Sequence, residues 1–129
     1  MPDYLDTSAF IKLVRSEPES RALRAELATG EALVSSTLLL VEGRRAAARY
    51  GALALGRARA ALATITLLPI DDATLETAAD LDPPDLRSLD AVHLAAALSL
   101  GHDLKRMYCY DARLAAAAIP RGIDVRQPR

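Results

Sequence analysis

Short apolar runs alternate with longer stretches of helical periodicity along the whole 129-residue chain. That alternation restricts the chain to few folds, because strands separated by helices build βαβ units that pair in parallel under a helical cover. Asp3 to Asp6 reads as a first strand, Ala32 to Ser35 as a second, Thr66 to Ile70 as a third and Arg106 to Tyr110 as a fourth, with Ile123 to Arg126 adding an edge. Helices are predicted over about Ala9–Arg15 and Pro18–Thr29, from a Ser36 or Thr37 cap to Tyr50, over Leu53–Thr64, from an Asp72 cap to Leu81, over Ser88–Leu100, and from Asp111 to a stop at Pro120 and Gly122. Gly30, Gly51 and Gly101 supply the other stops, and Pro83-Pro84 forces a loop. There is no internal repeat and no linker, so one domain over residues 1–129 is expected.

The chain is long enough to bury a core without staples, and its 51% hydrophobic content excludes disorder. The single Cys109 excludes an internal disulfide. Residues 1–20 carry no apolar segment behind a basic start, and no apolar run approaches the ~20 residues of a membrane span. A cytoplasmic protein is the expectation. The net charge of −1 gives no global attraction to a polyanion, so such binding would need a local basic patch or a bound metal.

Four acids stand at the joints of the pattern. Asp6 closes Tyr4-Leu5-Asp6 ahead of Thr7-Ser8, and Asp111 closes Met107-Tyr108-Cys109-Tyr110 ahead of Ala112-Arg113-Leu114-Ala115. Glu42 and Asp90 lie inside the apolar helical patterns Leu38-Leu39-Leu40-Val41-Glu42 and Leu89-Asp90-Ala91-Val92. The strand C-termini of a parallel sheet share one edge, and ligands bind in the crevice there. The helices holding Glu42 and Asp90 can cover that crevice. An unpaired buried carboxylate is costly. Several in one small chain point to a shared counter-ion, for which a hard divalent cation is the natural choice. Without metal, crowding of like charges predicts raised pKa values among these acids.

Each acid also has a plainer reading. Asp6 and Asp111 are placed to be helix N-caps. Glu42, followed by Gly43-Arg44-Arg45, fits a solvated face, and Asp90 fits a core acid paired with Arg87. The chain has only two histidines, His93 and His102. Two metal ions about 3.5–4 Å apart can activate water and stabilise the leaving oxygen of a phosphodiester without any catalytic histidine. His93, three residues after Asp90, can share its helix face; the plainer alternative is a satisfied, half-buried side chain. Arg44, Arg45, Arg49, Arg57 and Arg59 form the densest basic region, either a phosphate track or a solvated face. Arg87 can pair with an acid or a scissile phosphate, and Lys12, near Asp6, can touch substrate or lie on the surface. Asp80, Asp82 and Asp85 read as a polar loop. Phe10, Ile11, Leu13 and Val14 could supply a dimer face.

Taken in order, Asp6-Thr7-Ser8-Ala9, the stretch from Ser36 to Glu42, Leu86-Arg87-Ser88-Leu89-Asp90-Ala91-Val92-His93-Leu94-Ala95, and Tyr110-Asp111-Ala112-Arg113-Leu114-Ala115 resemble the PIN domain. They look most like the VapC-type toxins of bacterial toxin–antitoxin pairs. The resemblance covers essentially the whole chain, and the segment around Asp90 is its most specific part. It implies an α/β fold: a three-layer α/β/α sandwich with a central, mainly parallel sheet of four to five strands. It implies a toxin endoribonuclease dependent on Mg²⁺ or Mn²⁺. Asp6, Glu42, Asp90 and Asp111 would be its catalytic acids, and Asp6, Asp90 and Asp111 its metal ligands. Thr7, Ser8, Lys12 and Arg87 are the candidate substrate contacts, and a hydroxyl at Thr7 or Ser8 could instead orient Asp6 or a metal-bound water. RNA as substrate, a cognate antitoxin whose tail covers the pocket, and a homodimer complete the implied partners. One departure stands out: Cys109 occupies a position where the family often has Thr or Ser.

Two other functions compete. A catalytically inactive PIN-like module would bind RNA with its acids purely structural, and the presence of all four acids speaks against it. Another Mg²⁺-dependent phosphoryl-transfer enzyme would use Asp6 as nucleophile. A dehalogenase-type phosphatase wants a second Asp two residues on, where Ser8 stands, and a receiver-type domain wants its acceptor in a mid-chain strand that is absent here.

Overall fold

Tyr4 and Leu5, neighbours on the first strand, belong to two different cores, and this two-residue period sets the layers of the molecule. The computed structural model describes residues 1–129. Strands β1 (Asp3–Leu5), β2 (Leu33–Ser36), β3 (Ile65–Leu68), β4 (Arg106–Tyr108) and β5 (Val125–Arg126) form one five-stranded sheet in the order β3-β2-β1-β4-β5. All four pairings are parallel, with Tyr4 opposite Val34 and Leu5 opposite Tyr108.

Helices α1 (Thr7–Val14), α2 (Ser20–Ala28), α3 (Leu38–Ala48) and α4 (Ala52–Leu62) cover one face, where Phe10, Leu23, Leu39 and Ala58 pack on Leu5, Ile65 and Tyr108. Helices α6 (Ser88–Leu98) and α7 (Ala112–Ala118) cover the other, where Leu94, Ala97 and Leu114 pack on Tyr4, Val34 and Met107. Helix α5 (Asp72–Ala79) packs beside α6. The result is a three-layer α/β/α sandwich, the arrangement a parallel sheet needs to bury both faces. Gly43 lets α3 approach α1: a Cβ there would lie 2.7 Å from Phe10 Cε2. No helix is long and apolar enough to cross a membrane.

The elements follow the predicted order, with shifted ends. Strand β2 runs one residue later than expected and β3 ends at Leu68. Helix α2 starts at Ser20 rather than Pro18, because the Ser20 hydroxyl turns back to accept from the Glu17 N–H at 2.9 Å. Asp71, not Asp72, caps α5 through the Thr74 N–H at 2.8 Å. Helix α7 ends at Ala118 ahead of Pro120, as expected; Pro120 sits inside a 3₁₀ turn, Ile119–Arg121, closed by Gly122 at φ 84°. Phe10 and Val14 are fully inside the core, so neither is available for a dimer face.

The chain moves outward from β1 through β2 to β3, then returns to place β4 and β5 on the other side of β1. The crevice between the C-terminal ends of β1 and β4 is therefore the switch point of the sheet.

Candidate active site

Asp6 leaves β1 and Asp111 leaves β4, so both flank the switch point. Glu42 comes from α3 in one helical layer, and Asp90 and His93 come from α6 in the other. Asp6, Thr7, Ser8, Glu42, Arg87, Asp90, His93 and Asp111 line one pocket of about 190 Å³, with no hydrophobic residue among them. All four acids singled out in the sequence thus meet at one place.

Asp6 and Asp111 are also N-caps, as their plainer reading held. Asp6 Oδ1 accepts from the Ala9 N–H at 2.9 Å. Asp111 Oδ1 accepts from the Arg113 and Leu114 N–H groups, both at 3.0 Å. The two readings are compatible, because a cap uses one carboxylate oxygen and the other stays on the pocket. The Ser8 hydroxyl donates towards both oxygens of Asp6, at 2.6 and 2.8 Å, and accepts from the Tyr110 N–H at 2.8 Å. Ser8 thereby ties the loop after β1 to the loop after β4. The Thr7 hydroxyl donates to Glu42 Oε1 at 2.6 Å. Of the two hydroxyls, Ser8 is turned onto Asp6, the orienting role open to it, and Thr7 onto Glu42.

Arg87 precedes α6, and its guanidinium reaches two of the acids. Its Nε donates to Asp90 Oδ2 at 2.9 Å and its Nη2 to Asp111 Oδ2 at 3.0 Å. His93, 1% exposed, meets Glu42 Oε1 through Nε2 at 2.8 Å and the Tyr4 hydroxyl through Nδ1 at 2.8 Å. Lys12 is not brought to the pocket. Its ammonium lies 2.8 Å from Glu19 and 3.5 Å from Glu17, over the Tyr110 ring. Arg44 and Arg45 line a different, largely apolar cleft with Leu40, Val41, Ala48 and Leu55. His93 and Tyr4 were absent from the expected site. The spacing of His93 from Asp90 carried a signal, whereas nothing local marked Tyr4.

Burial pushes the Asp6 carboxyl above its ordinary range, and the bonds from Ser8 and Ala9 only partly offset it. The expected rise is present, but its leading cause is desolvation rather than repulsion among acids. Burial is the largest single effect on Glu42 and acts in the same direction, yet the bonds from His93 and Thr7, together with nearby positive charge that includes Arg87, outweigh it and hold Glu42 below the ordinary range. Cys109 lies buried behind the pocket, and burial followed by the charge of Asp6 pushes its thiol up, so it stays neutral.

A divalent cation is tested by the donors themselves. The acidic side chains offer hard oxygens only, and Asp6 is buried without a direct cationic partner. Those features fit a hard ion. As they stand, no three acid, histidine or cysteine side chains form a ready-made ion cage. The positive charge of Arg87 already serves Asp90 and Asp111.

Fold and pocket together define an α/β/α sandwich with an acid-lined crevice at its switch point. The PIN domain model matches residues 4–123, and the chain belongs to the PIN domain family. It is 46% identical over 125 residues to ribonuclease VapC46 of Mycobacterium tuberculosis, covering 97% of this chain and 96% of that one. It is 40% identical over 130 residues to ribonuclease VapC47 of the same species, with the same coverage. Two solved structures share the fold. One is M. tuberculosis VapC20, described as a sarcin-ricin loop cleaving toxin, with a TM-score of 0.73 at 18% identity over 89% of this chain and 94% of that one. The other is a toxin–antitoxin complex from Klebsiella pneumoniae, with a TM-score of 0.74 at 25% identity over 98% of both chains.

Proposed function

We propose that this chain is one PIN-like domain over residues 1–129 and a Mg²⁺- or Mn²⁺-dependent endoribonuclease, the toxin of a toxin–antitoxin pair. The observation that supports it best is the convergence of Asp6, Glu42, Asp90 and Asp111 on one wholly polar pocket, in a chain 46% identical to a VapC ribonuclease. The reaction is hydrolysis of an RNA phosphodiester: a water oxygen attacks phosphorus and the bond to the leaving ribose oxygen breaks.

Asp6, Asp90 and Asp111 would hold the cation. When bound, a hard divalent ion supplies Lewis acidity to the phosphate and makes water easier to deprotonate. Glu42 accepts from both Thr7 and His93 on Oε1, leaving Oε2 without a protein partner. Held ionised, Glu42 can take the proton of the attacking water on Oε2. Ser8 orients Asp6. Arg87 is the one guanidinium in the pocket, and on exchanging its acids for substrate it can hold a phosphate oxygen pair in its fork.

The same reading carries a cognate antitoxin protein as partner, a homodimer, and a cytoplasmic setting. The test is cleavage of total cellular RNA by purified protein with Mg²⁺ or Mn²⁺, beside an EDTA control and the Asp6→Asn variant. Discrete fragments lost in both controls support the reading. Cleavage that persists in EDTA overturns metal dependence, and cleavage by the variant overturns the role of Asp6.

A further inference from the structure

We propose that Tyr4 and His93 act together as positioning residues for Glu42: the Tyr4 hydroxyl selects which ring nitrogen of His93 carries the proton, and that proton holds the Glu42 carboxylate at the pocket. The catalytic part of this proposal rests on the ribonuclease reading above; the structural part does not.

The four groups run in one line through the molecule. The Ser36 N–H at the end of β2 meets the Tyr4 hydroxyl at 3.2 Å. That hydroxyl meets His93 Nδ1 at 2.8 Å, with the two rings edge to face at 81°. His93 Nε2 meets Glu42 Oε1 at 2.8 Å. Tyr4 and His93 are 0% and 1% exposed, so water is not available to replace a missing partner.

The proton positions follow from what each group can do. A backbone N–H only donates, so Ser36 occupies an acceptor position on the phenol oxygen. His93 Nε2 also lies 3.1 Å from the Thr7 hydroxyl, which gives its own proton to Glu42 Oε1 at 2.6 Å and so faces Nε2 as an acceptor. An ionised Glu42 only accepts, so His93 Nε2 must carry a proton; two acceptors 2.8 Å apart would repel. A neutral imidazole has one N–H, which leaves Nδ1 as an acceptor for the Tyr4 O–H. The competing arrangement has a doubly protonated ring, with the phenol turned to Ser35. The Ser35 hydroxyl gives its own proton to the Leu5 carbonyl at 2.6 Å and retains acceptor capacity for it.

The consequence falls on Glu42. Two donors, the Thr7 hydroxyl and His93 Nε2–H, converge on Oε1 alone. That fixes the carboxylate's rotation and presents Oε2. A histidine of the other tautomer would set an unprotonated Nε2 against Oε1 and turn the carboxylate away. A tyrosine that served only to fill the core would not need its hydroxyl on this line.

The experiment is imidazole ¹⁵N spectroscopy of the metal-free protein, paired with cleavage kinetics. With only two histidines in the chain, the His102→Gln variant leaves His93 as the single signal. The expected result is a neutral ring protonated at Nε2, and a loss of that tautomer's dominance in Tyr4→Phe. Tyr4→Phe, checked by melting to be folded, should lower kcat for RNA by about 10- to 100-fold with little change in KM, the range for residues that orient an active group from behind. His93→Gln, whose amide can still donate to Glu42, should retain more kcat than His93→Leu. A doubly protonated or Nδ1-protonated ring in the parent overturns the proposal, as does a Tyr4→Phe variant with unchanged tautomer and kcat. If no form cleaves RNA while the tautomer behaves as described, the ribonuclease reading fails and the positioning of Glu42 stands.

Discussion

Arg87 donates through Nη2 to Asp111 Oδ2 at 3.0 Å across 24 residues of sequence, while its Nε holds Asp90 at 2.9 Å. One guanidinium therefore bridges the starts of α6 and α7 and supplies the counter-charge two of the acids need. Arg87 is 66% exposed on its side chain, so little burial is lost when it leaves.

That placement makes Arg87 a competitor of any cation. Arg87→Gln should bind Mg²⁺ more tightly by calorimetry while cleaving RNA more slowly, because the fork that meets phosphate is gone. Metal-free stability should change by less than about 1 kcal/mol, as for other exposed ion pairs. Unchanged Mg²⁺ affinity would show that the guanidinium does not contend with the ion.

Asp90→Asn should reduce cleavage to background and leave the fold intact. The amide oxygen can still accept from Arg87, and Asp90 carries no deep-core packing. Circular dichroism and melting in EDTA check the fold; gel assays check cleavage. Parental cleavage by this variant would remove Asp90 from the reaction.

The pH dependence of metal-free stability has a defined sign for two acids. Asp6 is raised in the folded state, so it stabilises the fold when protonated. That contribution is fully present below the unfolded carboxylate pKa and is lost as pH rises through the folded value. Asp6→Asn should remove this loss and melt higher than the parent at neutral pH in EDTA. Glu42 is lowered, so its contribution is present above the unfolded carboxylate pKa and is lost as pH falls through the folded value. Thr7→Val should weaken that acid-side loss. Melting curves across the acidic range in EDTA decide both.

Added Mg²⁺ should raise the melting temperature, because the acids share a site only in the folded chain. At 100 times the dissociation constant the gain is about 2.7 kcal/mol. Asp6→Asn should show a smaller gain. A parent curve indifferent to millimolar Mg²⁺ would count against the ion.

Gly43→Ala should destabilise the fold by about 1–3 kcal/mol. The added methyl would lie 2.7 Å from Phe10, which is fully buried and cannot move aside cheaply. A denaturant midpoint equal to the parent's would show that α3 and α1 can separate. Because α3 carries Glu42, cleavage should fall with stability.

The order of elements was legible because glycine and proline stops and apolar runs are local signals. Asp6 and Asp111 stood out because each marks a strand end, and Asp90 because an acid amid Leu86, Leu89 and Leu94 is chemically out of place. The partners of these acids were less legible. Arg87 to Asp90 lies within one helical turn and could be read; Arg87 to Asp111, Thr7 to Glu42 and Tyr4 to His93 join segments that only the sheet order brings together. The partners of Lys12 were hidden for the same reason. Its nearness to Asp6 in sequence says nothing of Glu17 and Glu19, which claim it in space.

Glu42 and His93 come from helical layers on opposite faces of the sheet, and their 2.8 Å bond passes around its edge. The pocket therefore works as a gauge of how far apart the two layers stand. Any change that thickens or thins the sandwich near β1, even a substitution buried far behind the acids, alters the span between Glu42 and Asp90. That bond is the direct tie between the two arms at the pocket.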